Sequence, residues 1–204
     1  MKAISLFFII AAYQLCFAGG DTNIIAMSDW SKPVGTFYGE TLRGRMIVAQ
    51  EHSPAHPETE FYLELQNVSV GVGRPMQIYF DPGRGLHCEM LDASGKPPLL
   101  VGSGSGGGGA GACWITLPYD CTIRLRANMY GYGKQAGDGL LLTMSPPTMQ
   151  SWDIRAGDTN VYYLSGTFTV TPPTNSPPRD FDTERTIWSG TLELPKMKVW
   201  VGKR

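Results

Sequence analysis

The chain has 204 residues, with 17 Lys and Arg against 18 Asp and Glu, 25 Gly, 15 Pro and 4 Cys. That length suits one domain able to bury a sizeable core, and a formal charge of −1 gives no net drive toward nucleic acid or anionic lipid. Apolar content of 42% excludes a disordered chain, and low charge with abundant Gly and Pro favours short strands joined by turns over long helices.

Residues 1–20 have the pattern of a secretory signal peptide. Lys2 is followed by an apolar run from Ile4 to Ala12, and small residues stand at Ala18, Gly19 and Gly20. The run is shorter than the roughly 20 apolar residues of a membrane span, and no later stretch reaches that length. Tyr13-Gln14-Leu15 before Cys16 does not suit a lipid attachment site. Cleavage is therefore expected after Ala18 or Gly20, with residues 21–204 secreted or periplasmic as a single domain. Cleavage removes Lys2 and no acid, taking the charge from −1 to −2. It also removes Cys16. Cys88, Cys113 and Cys121 remain, enough for one disulfide and one free thiol in an oxidising compartment.

Along the mature chain, alternating segments recur. Candidate strands are 45–50, 61–66, 76–80, 86–90, 114–117, 122–127, 161–171, 187–194 and 197–201. Phe61, Leu63 and Leu65 share one face, with Tyr62, Glu64 and Gln66 on the other. Turn residues separate the segments at Asp81-Pro82-Gly83, Ala93-Ser94-Gly95 and Pro118-Tyr119-Asp120, and a Pro-rich loop runs from Pro172 to Pro178. A short helix is possible between Ala136 and Met144. The Gly-rich stretch 102–112 has no side chains to bury and is expected to be a flexible loop within the domain. Ser165-Gly166-Thr167 recurs as Ser189-Gly190-Thr191, which suggests a hairpin with each Gly placed where something packs close to the backbone. The pattern as a whole predicts an all-β chain folded as an antiparallel β-sandwich.

Three segments carry a resemblance. A strand ends in Leu65-Gln66-Asn67-Val68-Ser69, a second alternates through Pro75 to Phe80, and a turn reads Asp92-Ala93-Ser94-Gly95-Lys96. Over residues 61–97 this resembles bacterial exported immunoglobulin-like domains, and it is similar to the domain named after a Bacillus intracellular proteinase inhibitor. The resemblance implies an immunoglobulin-like sandwich and no activity, because such sandwiches serve many unrelated functions.

Candidate chemistry is sparse. If Trp114 to Leu117 is extended, Cys113 lies about 13 Å from Leu117, so a Cys113–Cys121 bridge needs a shorter or bent strand. Cys88 is then an equally good partner for either. No metal or other cofactor is expected. His52 and His56 have an H-x-x-x-H spacing, but Pro54 and Pro57 deny them a helix, and His87 and Cys88 lack a C-x-x-C partner motif. Glu64, Glu89, Asp92, Asp153 and Asp158 offer no pair suited to glycoside hydrolysis. No Ser has the nucleophile-elbow sequence. Arg124 and Arg126 share a strand face that could receive an anion. Tyr130, Tyr132 and Trp152 could form a platform for sugar rings. Asn67-Val68-Ser69 is a glycosylation sequon if the host is a eukaryote.

Taken together, these features point to an exported, non-catalytic binding or structural module whose partner is a protein. The alternatives are a carbohydrate-binding module, with a glycan as partner, and a small secreted hydrolase or Cys/His metalloprotein. Nucleic acid is not an expected partner.

Overall fold

The alternation of apolar and polar side chains that marks residues 61–66 builds the longest strand pair of the protein. In a computed structural model, the described residues are 22–36, 39–51, 58–70, 75–103, 112–127, 140–143, 150–154, 161–173 and 186–199. They form β1 (Thr22–Met27), β2 (Val34–Gly35), β3 (Thr41–Glu51), β4 (Glu58–Asn67), β5 (Met76–Phe80), α1 (Pro82–Gly85), β6 (Leu86–Asp92) and β7 (Leu99–Ser103). Then follow β8 (Cys113–Leu117), β9 (Thr122–Arg126), β10 (Leu140–Thr143), β11 (Gln150–Ile154), β12 (Tyr162–Val170), β13 (Thr186–Trp188) and β14 (Gly190–Val199). The protein is mostly β, with 65% of these residues in strands.

The largest sheet has the order β1-β3-β4-β9, and β2 pairs with the far end of β3. Three smaller sheets have the orders β14-β12-β6, β13-β5-β8 and β10-β11-β7. All pairings are antiparallel except β13 with β5. Between β1 and β2 the chain leaves the strand conformation but keeps hold of β3. Ser28 and Ser31 donate their N–H groups to the Met46 and Gly44 carbonyls, and their hydroxyl oxygens accept from the N–H groups of the same two residues. Two buried serines thus replace a stretch of ladder.

Leu42, Met46, Val48, Phe61, Leu63 and Leu65 line the inner face of β3 and β4. They share one core with Met76, Ile78 and Phe80 of β5 and Leu164, Phe168, Leu192 and Leu194 of β12 and β14. The approach is close. A methyl group on Gly44 would lie 3.1 Å from Leu192 Cδ1 and 3.3 Å from Leu194 Cδ2, so β14 is packed directly on β3. Trp188 is fully buried and donates its indole N–H to the Val34 carbonyl at 3.1 Å, which satisfies its polar atom.

The hairpin expected from the repeated Ser-Gly-Thr is the β12–β14 pair. Gly166 lies where a Cβ would come within 2.6 Å of the His87 carbonyl oxygen, and Gly190 packs against the Trp188 ring. The expected segment 187–194 divides at Ser189 between β13, which pairs with β5, and β14, while 197–199 is the end of β14 and 200–201 lie outside the described residues. β14 runs unbroken from Gly190 to Val199, through Pro195. Leu164 pairs with Met197 and Gly166 with Leu194, so β14 carries one extra residue opposite Ser165, and this bulge absorbs the proline that cannot donate to a ladder. The helix expected within 136–144 is replaced at Leu140–Thr143 by β10. These four residues gain cross-strand bonds to β11 that a single isolated helical turn could not match. Gly102 and Ser103, expected in the flexible loop, belong to β7 and pair with Ser151 and Gln150. Residues 104–111 of that loop lie outside the described residues, as do residues 1–20. No described helix is long and apolar enough to cross a membrane.

Candidate functional site: a guanidinium and aromatic face

Because successive strand residues point to opposite faces, the strands that bury Leu63 and Leu65 also carry Tyr62, Glu64 and Gln66 outward. Cross-strand register places Arg45 and Arg124 on either side of Glu64, and Arg43 beside Gln66. Arg45 Nε donates to Glu64 Oε2 at 2.6 Å, and Arg124 donates to Glu64 Oε1 through Nε at 2.8 Å and Nη2 at 2.7 Å. The Glu64 side chain is 6% exposed, against 23% and 28% for the two arginines. The carboxylate is therefore enclosed by its partners, and both its oxygens are engaged. Arg43 Nε donates to Gln66 Oε1 at 2.8 Å.

Aromatic rings hold the cations by their faces. The Trp30 ring centroid is 4.8 Å from Arg43 Cζ and 4.4 Å from Arg45 Cζ, and Arg124 Cζ is 5.9 Å from the Tyr62 ring. Trp30 comes from the irregular segment between β1 and β2, whose position on β3 is fixed by the Ser28 and Ser31 bonds. The face thus joins three guanidiniums, one carboxylate, one amide and two aromatic rings, with two positive charges in excess. At the opposite end of the same face Ile47 and Ala49 are fully buried.

Of the residues singled out from sequence, Arg124 belongs to this face and Arg126 is exposed two residues further along it. Glu64 is there too, as an ion-pair partner. Glu89 is exposed on β6. Asp92 is held in its turn: Oδ1 accepts from the Ser94 hydroxyl and from the N–H groups of Ser94 and Lys96, with Gly95 at φ +82°. The Ser94 hydroxyl and the Lys96 N–H hold the Asp92 carboxyl below its ordinary range. Asp153 lies on β11, and Asp158 lies outside the described residues.

His87 and Cys88 are consecutive on β6 and so face opposite ways, His87 exposed and Cys88 half-buried against the core. They cannot share an ion. His52 and His56 lie outside the described residues, and among the described residues no three His, Cys, Asp or Glu side chains gather as metal ligands would. The expected disulfide is absent, and Cys88, Cys113 and Cys121 are free thiols. β8 is fully extended, pairing from Cys113 to Leu117 with Phe80 to Met76, which keeps Cys113 a strand's length from the turn that leads to Cys121. Burial pushes the Cys88 thiol up to about 12 and raises that of Cys113.

Tyr130 and Tyr132 lie outside the described residues, and for Trp152 only its backbone pairing with Leu142 and Leu100 is defined. The described aromatic pair Tyr79 and Trp114 is tilted by 60° and offers no flat platform. Asn67 is fully buried. It donates its amide to the Leu117 carbonyl at 3.1 Å and accepts from Ser69, whose hydroxyl oxygen accepts from the Thr41 N–H. The Asn-Val-Ser sequence is a structural corner tying β3, β4 and β8 together, with no access for a glycan in the folded chain. Compared with known protein families, curated proteins and solved structures, the chain matches none.

The Trp30 and Arg43 half of the face escaped the sequence reading. Its signal was the Arg43-Gly44-Arg45 alternation, which puts two arginines on one strand face, while Trp30 arrives from a segment with no periodicity at all.

Proposed function

We propose that this chain is an exported immunoglobulin-like β-sandwich that acts as a non-catalytic module, binding a protein partner through the outer face of β3, β4 and β9. The direct packing of β14 on Gly44 of β3 supports the sandwich reading. The corner at Asn67 and the turn at Asp92 give structural work to both motifs behind the immunoglobulin-like resemblance. The N-terminal apolar run after Lys2 supports export.

The observation that carries the binding role is the guanidinium and aromatic face. Its side chains are fixed by hydrogen bonds and stacking, so little rotamer entropy remains to be lost when a partner docks. Chemical cross-linking in the exported fraction of producing cells tests this. Wild-type protein is expected to give a defined adduct with one protein, and the folded variant carrying Arg43→Gln, Arg45→Gln and Arg124→Gln to lose it. An adduct that persists in the variant, or a chain retained inside the cell with residues 1–20 intact, overturns the reading.

A further inference from the structure

Arg43 and Arg45 commit their Nε–H groups to Gln66 and Glu64, and among the described residues no acceptor meets their Nη groups. The Trp30 ring centroid lies 4.8 Å from Arg43 Cζ and 4.4 Å from Arg45 Cζ. Among the described residues these Nη donors are uncommitted, and the donor fork of a guanidinium matches a carboxylate. One face of the Trp30 ring and one of the Tyr62 ring are already taken by cations, which weakens the case for sugar stacking there.

The face itself shows how a carboxylate fits, because Glu64 is seated between Arg45 and Arg124 with both oxygens bonded. In the neighbouring row the corresponding residue is the neutral Gln66, and among the described residues no acidic side chain pairs with Arg43. Arg43 and Arg45 stand two residues apart on an extended strand, so their Cα atoms are about 7 Å apart. That is also the repeat at which every second side chain of an extended peptide projects to one side.

We propose that Trp30, Arg43, Arg45 and Arg124 form a docking surface for an extended acidic segment of the partner, one in which alternate residues are Asp or Glu. The inference rests on the protein-binding reading above and adds the chemistry of the partner. Carboxylates at that spacing meet Arg43 and Arg45 in turn, and the excess positive charge of the face draws the segment in.

Calorimetric titration of the full chain tests it with four probes: a peptide alternating Glu and Thr, a peptide of the same composition with its Glu residues in one block, a peptide alternating Lys and Thr, and polygalacturonate. The alternating acidic peptide is expected to bind most tightly, with affinity that falls as NaCl rises. Arg43→Gln and Arg45→Gln each weaken it about tenfold, and Arg43→Lys fails to restore it because an ammonium lacks the planar fork. Arg43 is outside the Glu64 ion pair, so its variants remain folded, and their thermal melts confirm it.

Equal binding of the Lys peptide, or indifference to both Arg→Gln variants, overturns the inference. Binding of polygalacturonate alone, lost in Arg43→Gln, also overturns it and assigns the face to an acidic polysaccharide. If no probe binds while the triple Arg variant still loses its cross-linked partner, the acidic segment is refuted and the protein-binding module stands.

Discussion

The two sides of β3 and β4 are built from alternate residues of the same strands, yet they are held by different forces. On the inner side Met46, Val48, Phe61, Leu63 and Leu65 have no solvent exposure, and their cohesion comes from removing apolar surface from water. On the outer side Arg45, Glu64 and Arg124 are bound by charge and hydrogen bonds, with the arginines about a quarter exposed. The inner contacts respond to volume and are indifferent to salt, whereas the outer contacts respond to charge and are screened by it. One strand therefore carries a stability role and, in the proposed function, a recognition role, and the two can be altered separately.

The largest expected effect lies inside. Phe61→Ala should lower unfolding free energy by about 3–5 kcal/mol through lost burial and a residual cavity, measured by urea denaturation, with the same loss at low and high NaCl. Cys88 gives the core side a pH signature. Its thiol titrates near 12 in the folded chain against an ordinary value of 9.0, so its contribution is fully present below pH 9 and is lost as pH rises toward 12. Over that window this thiol should remove stability at up to about 1.4 kcal/mol per pH unit, and Cys88→Ala should flatten the slope in denaturation series from pH 8 to 11. The smallest effect is on the outer face. Glu64→Gln leaves two arginines facing a neutral amide and should cost about 1–2 kcal/mol after allowance for their solvent screening. That deficit should shrink in 1 M NaCl. A salt-independent Glu64→Gln deficit would break the contrast between the two faces.

Sequence alternation located the strands whose side chains alternate between apolar and polar, β5 among them although its Gln77 is buried. Residues 76–80 are β5 to the residue, 122–127 overruns β9 by one residue, and 61–66 lies inside β4, beginning three residues late and ending one early. It missed β1, β2, β7, β10 and β11, which are short or flank an irregular stretch where serine hydroxyls replace the ladder. It also split β14 at Pro195, because a bulge that accommodates proline is a property of the strand pair and not of one strand's composition. On the outer face, Arg124 could be read from Thr-Ile-Arg-Leu-Arg, since two arginines on one strand share a face. Its pairing with Glu64 across β4, and the placement of Trp30 over Arg43 and Arg45, depend on registers set by backbone bonds far apart in sequence.

The bulge at Pro195 has a consequence for how these molecules behave in a crowd. Among the described strands β14 is the terminal member of its sheet, and an exposed terminal strand invites a second chain to continue the sheet. Pro195 offers no N–H there, and the extra residue twists the strand away from the straight geometry that stacking copies require. At high concentration the chain thus carries its own safeguard against fibre growth, placed in the strand that also seals the core against Gly44.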